Sequence, residues 1–466
     1  MSVTNTRWNY IQPMSDIIKR MWEWFLAITS PRKQQVNMDI TTINPVNKTN
    51  LLTHDVLVES ILEDEVINQT RSLNLITSEN LVSKAVIGVR TNVFINKNIE
   101  GYPRSRYYGG CKYADELEEV AIDRAKHLFK CKYANVQPHS GSQMNQAVIL
   151  ALLSPGDTIM AMDFGYNGHS THESVVNISG MYFKRISYGI DPKTGTIDMN
   201  MVLNVAVRHR PKLIIVGCTL YPRTIDWKAF RRVADIVDSS LLADVSHIAG
   251  LIVTGLQPSP IDYCDVVTTT THSSLRGVHG GLILSNNREL FDQVSDVLVP
   301  GLQDGPMMDV IAAKAVTFYE AKQDGYKMWV RSVVENAKAM VERFKNKKID
   351  VVSNGTDNHL VIIDLKTLGI ADKQVTSSLD RCYIMVNKTI IPNDLLSVNT
   401  FSCLRLDTCT CTSRGLRKVD FEKIADIIAD VLLEIKNKGD MSLSLETSTR
   451  KQVLDLTDRY PINYNV

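Results

Sequence analysis

Three short stretches hold residue types able to do chemistry. Ser140-Gly141-Ser142 lies between a strand-like segment and a helical stretch beginning near Met144. Such a turn aims backbone amides and hydroxyls at an anion, and the helix N-terminus adds a favourable dipole. By itself a turn of this kind is more often an ordinary loop or cap. Asp244 closes the apolar run 240–243, where a lone carboxylate is usually a turn or capping residue. Residues 265–281 read DVVTTTTHSSLRGVHGG, with Ser273 directly after His272. A hydroxyl there cannot form an imine with a carbonyl compound, which requires an uncharged primary amine. No register slip supplies one, because no lysine lies between Lys228 and Lys314.

The eight cysteines, at 111, 131, 218, 264, 382, 403, 409 and 411, include no CxxC pair and no paired framework of the secreted kind. Cys409-Thr-Cys411 reads as alternate positions on a strand or loop rather than a metal or redox site, and no metal is expected. Lys plus Arg number 52 against 51 Asp plus Glu, so no overall field draws nucleic acid or an anionic membrane. No apolar run approaches the roughly 18–20 residues that span a bilayer.

These residues need a scaffold, and the chain of 466 residues is long enough for two domains and a terminal segment. Apolar runs at 158–162, 212–216, 240–244, 264–269 and 282–285 alternate with helical patterns at 113–129, 143–153 and 228–238, which predicts a mostly parallel sheet covered on both faces. A helical region from 306 to 346 leads into strands at 349–352, 359–365 and 382–387 and a terminal helix near 420–437. The expected division is an N-terminal extension over 1–53, a large α/β domain over 54–335 and a smaller α+β domain over 336–466. Within the extension Arg7, Lys19, Arg20, Arg32 and Lys33 outnumber Asp16 and Glu23, and an apolar stretch around Trp22–Ile28 is compatible with a helix. This fits a mitochondrial transit peptide, with a structured arm on a partner subunit, and a cytoplasmic protein, as the alternative.

From about residue 55 to the C-terminus the chain resembles serine hydroxymethyltransferases, fold-type I enzymes that use pyridoxal phosphate. The resemblance rests on LITSEN (75–80), EGYPRSRYYGG (100–110), AIDRAKHLF (121–129), YANVQPHSGSQMNQAV (133–148), ADVSHIAGL (243–251), GTDNHL (355–360), VNKTIIPND (386–394) and CTSRG (411–415). It implies an aminotransferase-like large domain and the interconversion of serine plus tetrahydrofolate with glycine plus methylene-tetrahydrofolate. It also implies a homodimer or homotetramer.

Residue by residue, the resemblance gives Ser140, Gly141 and Ser142 the cofactor phosphate, with His272 and the Gly305 loop at the same end. Asp244 matches the carboxylate that pairs with the pyridine nitrogen, and His247 and Thr219 match groups near the phenolic oxygen. Arg405, helped by Ser78, matches the grip on the substrate carboxylate. Glu100 matches a proton-moving glutamate, Tyr108 a tyrosine beside the reacting centre, and Asn387 a residue facing the pterin. The family pattern TTTTHKTLRGPRGG puts the Schiff-base lysine where Ser273 stands. Further departures are Asn98 for a tyrosine that reaches the adjacent subunit, Tyr166 for the histidine that stacks on the ring, His279 for an arginine, and Asp304 in the phosphate-side loop Gln303–Pro306.

The expectation is therefore a family member that is catalytically impaired, holding pyridoxal phosphate noncovalently or not at all, and serving as a structural or regulatory partner of an active paralogue. A residually active enzyme and a noncatalytic binder of folate or an amino acid are the alternatives.

Overall fold

The strands that build the site form one mixed sheet of seven. In chain order they are β1 (Tyr133–Asn135), β2 (Thr158–Met162), β3 (Lys184–Tyr188), β4 (Leu213–Val216), β5 (Ser240–Asp244), β6 (Val266–Thr270) and β7 (Gly281–Ser285). Their spatial order is β1-β7-β6-β5-β4-β2-β3. Only β7 runs antiparallel to its neighbours, β1 and β6; the other pairs are parallel. The computed structural model describes residues 55–163, 169–387 and 403–462. The N-terminal extension and Tyr166 lie outside them.

The central strands are apolar almost throughout because helices cover both faces. Met160, Met162, Ile214, Val216, Leu241 and Ala243 point into one core. Their neighbours Ile159, Ala161, Leu213, Ile215 and Leu242 point into the other. This two-sided burial is why LIIV and SLLA read as continuous apolar runs rather than alternating ones.

Leu51–Val466 is one compact unit, and a further core within it gathers around β8 (Leu360–Asp364) and β9 (Cys403–Asp407), an antiparallel pair. The helices Asp324–Asn346 and Lys418–Lys438 pack on it, and so do Leu73 and Leu75. Those two come from far upstream: Leu73–Asn74 pairs in parallel with Ile384–Met385.

Several expectations need correcting. The strand expected at 349–352 is a single bridge, Val351 to Ile363, followed by a turn in which Ser353 and Asn354 adopt positive φ. The helical region 306–346 is two helices, Met308–Ala321 and Asp324–Asn346. Cys409 and Cys411 sit on the short helix Cys409–Arg414, not on a strand or loop. A last helix, Leu443–Arg459, was not expected; Ser442 caps it by accepting from Leu445 N.

Candidate active site

In an open α/β sheet the loops at the carboxyl ends of the parallel strands converge on one crevice. Here they enclose a cavity of about 220 Å³ lined by Ser140–Ser142, Asn145, His169, His172, Thr219, Asp244, Ser246, His247, Thr270, His272 and Ser273, together with Ser78 from the LITSEN segment. Nine of the sequence-identified residues meet here: Ser78, Ser140, Gly141, Ser142, Thr219, Asp244, His247, His272 and Ser273.

One end of the cavity is the start of the helix Gly141–Leu152. Ser140 has extended φ/ψ and its hydroxyl accepts from Gln143 N at 3.2 Å, as an N-cap does. No acidic side chain occupies the first turn. Gly141 is required by contact, since a Cβ there would lie 2.7 Å from Thr270 Cγ2. The result is a pocket of main-chain amides with room for an anion.

The floor is Asp244 at the end of β5. Asn145 Nδ2 donates to its Oδ2 at 2.8 Å and His172 Nε2 lies 3.0 Å from the same oxygen, while Ser246 donates to Oδ1 through its hydroxyl at 2.6 Å and its amide at 3.1 Å. Burial pushes this carboxyl upward, but the bonds from His172 and Ser246 more than offset it, so Asp244 stays ionised below the usual carboxylate range. Asn145, His169, His172 and Ser246 went unassigned in the sequence reading. The His-x-x-His spacing of His169 and His172 was the available signal, as was the placement of Asn145 one helical turn beyond Gly141.

The remaining walls are neutral imidazoles. Burial, and then the charge of Arg405, hold His247 well below its ordinary value. Burial and the stacked ring of His279, 4.0 Å away between centroids, lower His272 to about 4. The Nδ1 atoms of His247 and His272 are buried without a hydrogen-bond partner.

Ser273 follows β6 with φ of +53° and is 2% exposed. Its hydroxyl donates to Thr77 O at 3.0 Å, and its own carbonyl accepts from Asn80 Nδ2 at 2.8 Å. Thr77 is gripped from the other side by Asn387, whose Oδ1 accepts from Thr77 N at 2.9 Å. Among the described residues lining the cavity there is no lysine.

Arg405 stands behind the wall, donating from Nη1 to Thr219 O at 2.9 Å, and burial lowers it to about 10. Glu100, Tyr108, Gly305 and Asn387 do not line the cavity of the single chain. Glu100 instead accepts from Tyr108 Oη at 2.9 Å and Asn98 Nδ2 at 2.8 Å on the surface, where Tyr108 is 47% exposed. Gly305 is pressed against that segment, since a Cβ there would lie 2.1 Å from Ile99 O.

A family model described as serine hydroxymethyltransferase matches residues 51–428. The chain is also 48% identical over 408 residues to a serine hydroxymethyltransferase of Prochlorococcus marinus (strain MIT 9211), covering 88% of this chain and 97% of that one. It is 46% identical over 412 residues to that of Rickettsia canadensis (strain McKiel), covering 88% and 98%, and 45% identical over 415 residues to that of Bartonella quintana (strain Toulouse), covering 89% and 95%. The chain belongs to the serine hydroxymethyltransferase family.

The family is fold-type I, and the mixed sheet with helices on both faces is its large-domain architecture. Its members use pyridoxal phosphate and tetrahydrofolate, act on serine and glycine, and are typically oligomeric. The cavity fits the noncovalent requirements of that cofactor: amides at a glycine a side chain would obstruct, an ionised carboxylate on the floor, and unpartnered imidazole nitrogens in the walls. It offers no amine at position 273. No described helix is long and apolar enough to cross a membrane.

Proposed function

We propose that this chain is a serine hydroxymethyltransferase-family protein of one-carbon metabolism that binds pyridoxal phosphate noncovalently, is impaired in repeated turnover, and serves as a structural or regulatory partner of a lysine-bearing family member. The observation that carries this reading is Ser273, a cavity-lining hydroxyl committed to Thr77 O where the family pattern has its lysine. The bound cofactor would draw electrons from the α-carbon of an amino acid. The chain's own contributions are the amides at Gly141 and Ser142 for the phosphate, Asp244 to hold a proton on the ring nitrogen, and a charged Arg405 for the substrate carboxylate.

A substrate serine carries its own amine, so the lack of one at residue 273 would bear on repeated product release, for which a lysine there would supply the amine, more than on a first binding event. A second observation favours the partner role: among the described residues the helix Val56–Arg71 has none that is buried, and Val56, Leu57 and Ile61 are 77%, 72% and 59% exposed. Such a face suits a subunit contact. The basic extension supports a mitochondrial address.

The test is borohydride reduction of the protein with pyridoxal phosphate, followed by peptide mapping, alongside steady-state serine cleavage. Expected results are noncovalent cofactor binding, no pyridoxyl-lysine in the site and no sustained turnover. Co-purification with a lysine-bearing family member supports the partner role; many cycles by homogeneous protein overturn the proposal.

A further inference from the structure

Behind the wall formed by His247 lies a second polar cluster that the cofactor site does not use. His359 immediately precedes β8, and Asp407 is the last residue of β9; the register Leu360 to Asp407 brings the two together. Cys409 opens the next helix, with its amide donating to Asp407 Oδ1. All three residues are 0% exposed.

The cluster is poorly satisfied. His359 Nε2 and Asp407 Oδ2 stand 3.5 Å apart without forming a hydrogen bond, and His359 Nδ1 also has no partner. An imidazole nitrogen, a carboxylate oxygen and the Cys409 sulfur all lie within 4.8 Å of one another. Leaving such groups buried and unpaired is unfavourable, the more so when they are charged. A shared cation would satisfy them together.

We propose that His359, Asp407 and Cys409 form a binding site for a zinc-type divalent ion. Bonds of about 2.0–2.3 Å in tetrahedral geometry place ligand atoms roughly 3.3–3.8 Å apart, which is the spacing His359 and Asp407 already keep. One nitrogen, one oxygen and one sulfur suit zinc or cobalt and exclude magnesium and calcium, which take oxygen. Burial and Asp407 hold the Cys409 thiol high, so the ion takes the place of that thiol proton, which passes to solvent with any proton on Asp407. Asp407 lies two residues beyond Arg405 on β9, and the His359 ring faces that of His247 with centroids 6.4 Å apart. The ion would therefore fix both substrate-side groups without touching substrate.

The experiment loads the full chain with zinc or with cobalt, removes free metal, and measures bound metal by mass spectrometry. Zinc X-ray absorption and the cobalt near-ultraviolet spectrum report the ligands. About one equivalent is expected, with one sulfur at about 2.3 Å and a thiolate-to-cobalt band that disappears in Cys409→Ser. Asp407→Asn should weaken binding at least tenfold. Less than a stoichiometric ion, a zinc shell without sulfur, or a cobalt band unchanged in Cys409→Ser would each overturn the site. The wild-type absorption spectrum decides the question even if a variant fails to fold.

Discussion

Ser273 Oγ and Thr77 O, 196 residues apart in sequence, are joined by a hydrogen bond of 3.0 Å that ties the turn after β6 to the LITSEN segment. The bond gives the serine a structural role in the wall of the cavity. In Ser273→Lys this bond is lost, at a cost of about 1 kcal/mol. The positive φ adds no new penalty, because serine already pays it. The expected outcome is a borohydride-fixed pyridoxyl group on residue 273, found by peptide mass, with turnover at least tenfold above the parent. Attachment without turnover would place the remaining defect at Asn98, Tyr166, His279 or Asp304.

Asp244 accepts from Asn145, His172 and Ser246, and its negative charge is what the buried floor offers a protonated ring nitrogen. Asp244→Asn removes the charge and turns one oxygen into a donor facing the donor of Asn145. Pyridoxal phosphate affinity, followed by absorbance titration, should fall by at least tenfold. Stability should drop by roughly 2–4 kcal/mol, because charge-assisted bonds are lost and a buried donor is left facing another. Unchanged affinity would remove Asp244 from the cofactor site.

The buried imidazoles set an acid limit. His169 and His272 are lowered to about 4 and His359 to about 3, in each case chiefly by burial. A depressed imidazole contributes stability that is complete above its unfolded value near 6.5 and is lost as pH falls, because the unfolded chain takes the proton first. Asp407 acts in the opposite sense: burial raises it to about 8, so its contribution is complete below the ordinary carboxylate range and is lost as pH rises toward 8. In the metal-free protein His247 is held down in the same way, and at about 1.4 kcal/mol per pH unit per group four imidazoles against one carboxyl give a net loss of roughly 4–6 kcal/mol between pH 6.5 and 5. Urea unfolding at the two values measures it, and His359→Gln should flatten the slope by one group. A flat profile would mean these imidazoles are not held neutral.

What the sequence disclosed and what it hid follow from the range of the interactions. β2, β4 and β5 were legible because burial on both faces writes itself as an unbroken apolar run. The cup at Ser140 was legible because a cap, a glycine and a helix are contiguous. The partners of Asp244 were not, since Asn145 and His172 lie 99 and 72 residues from it and meet it only through the sheet order. The role of Ser273 as a tether to Thr77 was hidden for the same reason. Glu100 and Tyr108 showed their motif plainly, yet within one chain they pair with each other on the surface, away from the cavity. The strand expected at 349–352 failed locally, because Ser353 and Asn354 turn the chain at positive φ after one bridge.

Among the described residues Lys314 is the one fully buried lysine, and it is already engaged. Its Nζ donates to Val136 O at 2.5 Å, Gly281 O at 2.8 Å and Pro138 O at 3.1 Å, holding β7 against the segment that leads to Ser140. It does not line the cavity, and a Cβ on Gly280 would come within 2.9 Å of it; burial lowers this lysine to about 7, so its enclosure and its three carbonyl partners, not its charge, keep it from replacing an amine at 273. Lys314→Met keeps the length of the side chain but leaves three carbonyls without their donor, at a cost of roughly 3–5 kcal/mol. Denaturant unfolding should register that loss, and peptide mapping of the reduced parent protein should find Lys314 unlabelled. A pyridoxyl group at Lys314 would mean that the cup opens far enough for this lysine to serve as the missing anchor.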